Sequence, residues 1–178
     1  MKQTFIYPAI LTPDKAKRVT VSFPDIPEAL TDGANEAEAL AEASDCLATA
    51  LAGYLQDGRH LPPGRMPGRG EWAVSPPADV AMKLAIHQAM RQQNITTAEL
   101  ARRLGIDHKD ARRLLDFAHH SKVAGLERAL DTLGLHATTM VFDEARRDRI
   151  VRAPGQVASP RARLRPKLSI AVSRVAAK

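Results

Sequence analysis

Along residues 18–23 the hydrophobic and polar positions alternate. Val19, Val21 and Phe23 fall on one face and Arg18, Thr20 and Ser22 on the other, the period of a half-buried strand. A second strand is expected over Gln3 to Leu11, with Pro8 arguing for an edge or a bulge. Pro24 to Pro27 stops the Arg18–Phe23 strand, and Ala29 to Thr31 forms a short third one before Asp32-Gly33. The period then becomes helical. From Asn35 to Gln56, Leu40, Leu47, Leu51 and Leu55 share a face with Ala37, Ala41, Ser44, Ala48 and Tyr54. A Pro/Gly-rich connection, Leu61 to Gly70, leads to a closing strand at Trp72 to Val74.

A second helical region follows. Ala78 to Gln92 has Val80, Leu84, Ile86 and Met90 as apolar positions, and Ser121 caps a helix whose seam is Val123, Leu126, Leu130 and Leu133. Thr138 to Phe142 reads as a short strand. Between these helices, Thr96 to Asp116 has the outline of a helix-turn-helix. Ala101 is small where two helices approach, and Gly105 can take the positive φ that ends a helix sharply. Ile106 packs into the angle, and Asp107 caps the second helix. That helix begins with His108 and Lys109 and carries Arg112 and Arg113. Side chains at this end of a recognition helix reach base edges, Arg and Lys suiting guanine O6/N7. Thr96 and Thr97, at the start of the preceding helix, suit a phosphate. The alternative is a helical hairpin with a merely solvated basic face.

The patterns together give an α+β chain. Residues 1–75 form an antiparallel-strand unit with one long helix, 76–143 an all-α helix-turn-helix unit, and 144–178 a basic tail expected to be mostly disordered, with no periodicity before Leu168 to Val175. Only 4% of the residues are aromatic, so the cores must be built from Ala, Leu, Val and Ile. No apolar run approaches the ~20 residues of a membrane span. The start of the chain, broken by Pro8 and lacking a small-residue cleavage site, does not read as a signal peptide. One cysteine, Cys46, excludes an internal disulfide and fits a reducing cytoplasm.

Charge separates the regions further. The net charge of +6 is not evenly spread: residues 1–75 hold seven basic against ten acidic side chains, and residues 76–145 hold nine of each. Residues 146–178 hold ten basic side chains against Asp148 alone. The tail therefore carries the basic excess, and the first unit is acidic. The tail has the makings of a DNA-backbone arm, a segment that folds on an RNA or a partner, or a solubilising extension.

No catalytic or cofactor constellation emerges. His119-His120 lacks companions at metal-ligand spacing, and Cys46 has no activating cation beside it. Asp14, Asp25 and Asp32 fall on separate turn-like segments, and residues 64–70 lack the Lys-Ser/Thr pair of a phosphate loop. The acidic unit reads as a binding surface, not an active site.

The order of these motifs resembles the HicB family of type II antitoxins, in its longer form with a C-terminal, XRE/Cro-like helix-turn-helix. The resemblance is carried by YPAILTPD (7–14), VTVSFPDIPEALTDGANEAEAL (19–40) and YLQDGRHLPP (54–63). It continues through PPADVAMKLAIHQAMRQQNITTAELARRLGIDHKDARRLLD (76–116) and SKVAGLERALDTLGL (121–135). It implies a partial RNase H-like first domain without nuclease activity that covers a small basic HicA toxin, itself an mRNA-cleaving ribonuclease. It also implies a helix-turn-helix that binds the operon's own promoter as a homodimer or higher oligomer. By position, Thr96, Thr97, His108, Lys109, Arg112 and Arg113 match that family's DNA-facing surface; no toxin-contacting residue can be assigned. The tail beyond Arg146 is not explained by the resemblance. The competing expectation is a stand-alone transcriptional regulator whose first domain senses a ligand or mediates assembly.

Overall fold

The computed structural model describes residues 2–141 and 168–174. Strands β1 (Lys2–Thr4), β2 (Tyr7–Pro13), β3 (Val19–Ser22) and β4 (Leu30–Gly33) precede helix α1 (Glu36–Gln56). Strand β5 (Trp72–Val74) and helices α2 (Ala78–Gln93), α3 (Thr97–Leu104), α4 (His108–Leu115) and α5 (Val123–Thr132) follow, then β6 (Leu135–Val141) and β7 (Leu168–Arg174). One antiparallel sheet has the order β4-β3-β2-β5, and a second has the order β1-β7-β6. This is the expected α+β architecture.

The expected strand over residues 3–11 divides. Phe5 and Ile6 interrupt it, so that β1 and β2 join different sheets. Pro8 sits where β2 pairs with β5 through Tyr7–Ala9, while pairing with β3 begins only at Ile10. At Pro8, therefore, β2 has a strand on one side alone, which is where a residue without an N–H is tolerated. Strand β3 keeps its alternation: Val19 and Val21 are buried, and Thr20 and Ser22 are half-buried on the other face. On that other face Ile10 and Leu30 stand in register with Ser22 and are exposed.

Helix α1 begins one residue after Asn35, whose side chain accepts from the Glu38 amide at 3.0 Å. Its buried face differs from the expected one. Ala39, Ala43, Ser44, Leu47, Leu51, Ala52 and Tyr54 are buried, whereas Leu40, Leu55, Ala37 and Ala48 are half-buried and Ala41 is exposed. The reason is the close approach of the helix to β4. A Cβ on Gly33 would lie 2.4 Å from the Ala39 backbone nitrogen, so only a glycine lets β4 come this close to the first turn of the helix. Opposite this face, Glu38, Glu42 and Asp45 form an exposed acidic stripe at helical spacing.

The Pro/Gly-rich connection is anchored to the sheet. The Arg65 amide donates to the Ile6 carbonyl at 2.9 Å, and the Tyr7 hydroxyl donates to the Pro62 carbonyl at 3.0 Å. The Arg65 guanidinium bridges Asp25 at 2.8 Å and Glu71 at 2.7 Å.

Helix α2 is more deeply placed than its four expected apolar positions imply. Val80, Ala81, Met82, Lys83, Leu84, Ala85, Ile86, Ala89 and Met90 are all buried, because the helix is packed by α1, α4, α5 and β7. One continuous core therefore runs from Phe5 and Tyr7 through Leu47 and Leu84 to Leu126 and Leu130.

One other expectation is corrected. Ser121 does not cap α5: Lys122 is the cap residue, and the Ser121 hydroxyl instead donates to the Leu114 carbonyl at 3.1 Å. Within the tail, Leu168–Arg174, the stretch where periodicity is expected to begin, pairs with β6 from Leu135 to Val141 and with β1 from Lys2 to Thr4. Backbone pairing on both sides orders this apolar, β-branched run. Strand β6 is longer than expected; Phe142 and the remainder of the tail lie outside the described residues. No helix among the described residues is long and apolar enough to cross a membrane.

The Gly33 approach sets a limit on substitution. Gly33→Ala must push α1 off β4 and is expected to cost about 1–3 kcal/mol. The shift of the denaturant midpoint measures it, and an unchanged midpoint contradicts the stated packing.

Candidate nucleic-acid interface

Helices α3 and α4 are joined by a turn whose local chemistry matches the sequence reading. Thr96 caps α3, its Oγ1 accepting from the Glu99 amide at 3.2 Å. Gly105 has φ of 65°, a left-handed conformation that lets the chain leave the helix at once. The Ile106 amide returns to the Ala101 carbonyl at 3.1 Å, and half-buried Ile106 packs on the core. Asp107 Oδ1 then accepts from the Lys109 amide at 2.6 Å and caps α4. Ala101, Leu100 and Leu104 of α3 and Ala111 and Leu115 of α4 are buried.

This packing leaves His108, Lys109, Arg112 and Arg113 exposed on α4. His108, Lys109 and Arg112 have no side-chain hydrogen bond or ion pair among the described residues. Arg113 differs: its Nε donates to His119 Nε2 at 3.0 Å. Thr97 is half-buried in the first turn of α3, and Thr96 is exposed, with its hydroxyl proton free of the capping bond. Asp110, which weakens the basic character of the helix, is exposed as well.

The cations of α3 are engaged. Arg102 grips Glu99 with both Nε and Nη2, at 2.8 and 2.7 Å, and Arg103 Nε reaches the same carboxylate at 2.7 Å. These hydrogen bonds pull the Glu99 carboxyl down to about 2. Among the described residues, the cations of the motif that lack a carboxylate partner, Lys109, Arg112 and Arg113, are thus all on α4.

What sets the pose of α4 was missed in the sequence. Lys83 of α2 is 0% exposed, and its Nζ donates to the Asp116 carbonyl at 2.8 Å and to the His119 carbonyl. One turn along α2, His87 Nε2 bonds the Leu115 carbonyl at 3.1 Å, and its ring stacks on Phe117 with centroids 5.1 Å apart. The last carbonyls of a helix lack intrahelical donors and carry the negative end of its dipole. A buried ammonium and an imidazole N–H meet both needs. Burial lowers the Lys83 pKa, an effect opposed by Asp79 and Asp116. Burial likewise lowers that of His87, with the Leu115 bond opposing and Lys83 reinforcing. The only sequence signal was a lysine at i−1 to Leu84 in an otherwise apolar window.

The residues weighed for other chemistry are dispersed. His119 accepts from Arg113, whereas His120 Nδ1 lies 3.5 Å from Asp79. Among the described residues no three His, Cys, Asp or Glu side chains converge as metal ligands. Asp14 closes the turn before β3, Asp25 pairs with Arg65 and Asp32 with Arg18. The Cys46 thiol is pushed up by burial and donates to the Leu30 carbonyl at 3.5 Å.

Comparison with known proteins adds the missing category. Residues 6–85 match the model of a family described as the HicB-like antitoxin of bacterial toxin-antitoxin systems. Antitoxin HicB 2 of Photorhabdus laumondii is 41% identical over 116 residues, covering 65% of this chain and 82% of that protein. Antitoxin HicB of Escherichia coli K12 is 38% identical over 128 residues, 72% of this chain and 93% of that protein. This chain belongs to the HicB antitoxin family. A third relative, antitoxin HicB of Pseudomonas fluorescens, is 40% identical over 117 residues, 65% of this chain and 80% of its own length. The HicB assignment makes the chain an antitoxin of a bacterial toxin-antitoxin system, in a family of regulators and not of enzymes. Each match covers a larger share of the relative than of this HicB chain, which is therefore the longest of the four.

The His87 environment gives a pH dependence with a defined sign. The folded state resists protonating His87, so stability is present above the ordinary value of about 6.5 and is lost as pH falls below it, where the unfolded chain binds the proton first. Melting temperature is expected to fall on acidification through that range. His87→Gln, which retains an N–H for Leu115, should flatten the profile; an equally steep profile assigns the effect to other groups.

Proposed function

We propose that this HicB-family chain neutralises a small, basic, HicA-like mRNA-cleaving toxin and represses its own operon. In this reading residues 1–75 receive the toxin, residues 76–143 bind operator DNA, and residues 144–178 form an appended basic tail. The single observation that carries the DNA half is the exposed cationic set on α4, none of it in an ion pair among the described residues, next to a turn built as a helix-turn-helix. His108, Lys109, Arg112 and Arg113 face the bases, and Thr96 and Thr97 donate to a phosphate, in the manner of a recognition helix and the helix before it.

The antitoxin half rests on family membership and on the character of the first unit. Its excess of acidic residues, the stripe Glu38, Glu42 and Asp45, and the exposed apolar pair Ile10 and Leu30 suit a basic protein partner. Complementary charge accelerates and orients such an encounter. Dispersed, paired carboxylates fit a binding unit without nuclease chemistry. Operator recognition by a homodimer or higher oligomer, in the cytoplasm and without a cofactor, completes the proposal.

Two experiments test its halves separately. Induction of the adjacent small basic open reading frame alone should arrest growth, and co-expression of this chain should restore it; continued arrest contradicts the neutralising role. For DNA, the Arg112→Ala, Arg113→Ala double variant should lose about ten- to a hundredfold in operator affinity, the scale of one or two base contacts, with its melting temperature unchanged. Retained affinity in a gel-shift titration removes α4 from the interface.

A further inference from the structure

A lysine with no exposed surface inside the buried apolar run Val80–Ile86 is costly unless its donors are needed. Lys83 spends two of its three donors on the segment that leaves α4, at the Asp116 and His119 carbonyls. His87 holds Leu115 and Ser121 holds Leu114, so the main chain from 114 to 121 is tied at four carbonyls. On the outside of this tied turn stands the His119 ring, and its Nε2 accepts from Arg113 Nε at 3.0 Å. Acceptance at Nε2 requires the neutral ring with its proton on Nδ1.

The consequence for Arg113 is chemical as well as geometric. Its Nε is occupied, while its two terminal amino groups have no partner among the described residues. Those terminal groups form the fork that grips guanine O6/N7 or a phosphate bidentately. We propose that Lys83 and His119 are positioning residues for DNA reading: Lys83 fixes the His119 main chain, and His119 holds the Arg113 guanidinium by Nε so that its fork is presented ready-made. This rests on the DNA-binding reading above. Arg112, one residue away, has no such tether among the described residues, so of the two arginines only Arg113 has its fork oriented before DNA arrives.

The test compares two probes on the full chain at one salt concentration: a duplex of the promoter immediately upstream of its own gene, and a shuffled duplex of equal length and composition. Fluorescence anisotropy gives the ratio of the two affinities. His119→Ala, a change on the outer side of the turn, should lower that ratio about tenfold while leaving shuffled-duplex binding unchanged, because net charge is preserved. His119→Gln, whose amide oxygen can accept from Nε, should recover most of the ratio. Arg113→Ala should add little in the His119→Ala background, since the two act as one unit. Lys83→Met should reduce the ratio in the same way, and if that variant fails to fold the His119 pair decides alone. A full ratio in His119→Ala, or full additivity with Arg113→Ala, overturns the positioning role while the DNA reading stands. If Arg113→Ala itself leaves the ratio intact, the assignment of Arg113 to the DNA surface fails and the positioning role falls with it.

Discussion

The buried ammonium of Lys83 is the interaction on which the arrangement of this molecule turns, because it belongs to a helix that holds the ends of its neighbours. Helix α2 sends Lys83 and His87 to the carbonyls that end α4, Gln93 to the Leu133 carbonyl that ends α5, and Arg91 to the Gly58 and Arg59 carbonyls beyond α1. Arg128 of α5 does the same for the Leu104 carbonyl of α3. Helix C-termini leave carbonyls unsatisfied and partially negative, so donors from a shared neighbour both satisfy and orient them. Removing such a donor from a buried site leaves polar groups without partners, which costs more than the bond itself contributes.

That central helix also makes the antitoxin one body. Core side chains continue from the first sheet through α2 into the helix-turn-helix, and β7 pairs at once with β1 and β6. Gln3 beside β7 is bonded to Gln88 of α2, adding a polar tie to the apolar ones. The chain's two proposed surfaces are therefore fixed to one scaffold: an acidic, partly apolar face on the first unit and a small basic face on α4. The separation of charge keeps each surface suited to a different partner.

Where the sequence could be read, the reason was local. The left-handed Gly105, the Asp107 cap, the Asn35 start and the alternation of Val19 and Val21 each depend on a few neighbouring residues. Reading failed where the deciding partner was distant. An alanine-rich helix carries little information on which alanines face the sheet, and the packing of α1 on β3, β4 and α2 buried Ala39 and Ala43. Ser121 has the chemistry of a cap, but Leu114 claimed its hydroxyl. Leu168–Arg174 stands out in the tail by its periodicity, but which segments it joins, one from each end of the chain, was settled only by their pairing.

By itself the sequence determined the α+β class, the family, the position of the turn between α3 and α4, and which residues supply the positive charge of α4. These follow from periodicity, capping and φ preference, all short-range. Glu99 meets Arg102 and Arg103 at i+3 and i+4, a pairing that helical spacing alone makes legible; only the tertiary structure decided that His119 holds Arg113 and that His108, Lys109 and Arg112 have no side-chain partner among the described residues. It alone made a lysine in α2 the anchor of α4. Burial and hydrogen-bond partnership depend on which segments meet, and a residue's neighbours in the sequence do not contain that information.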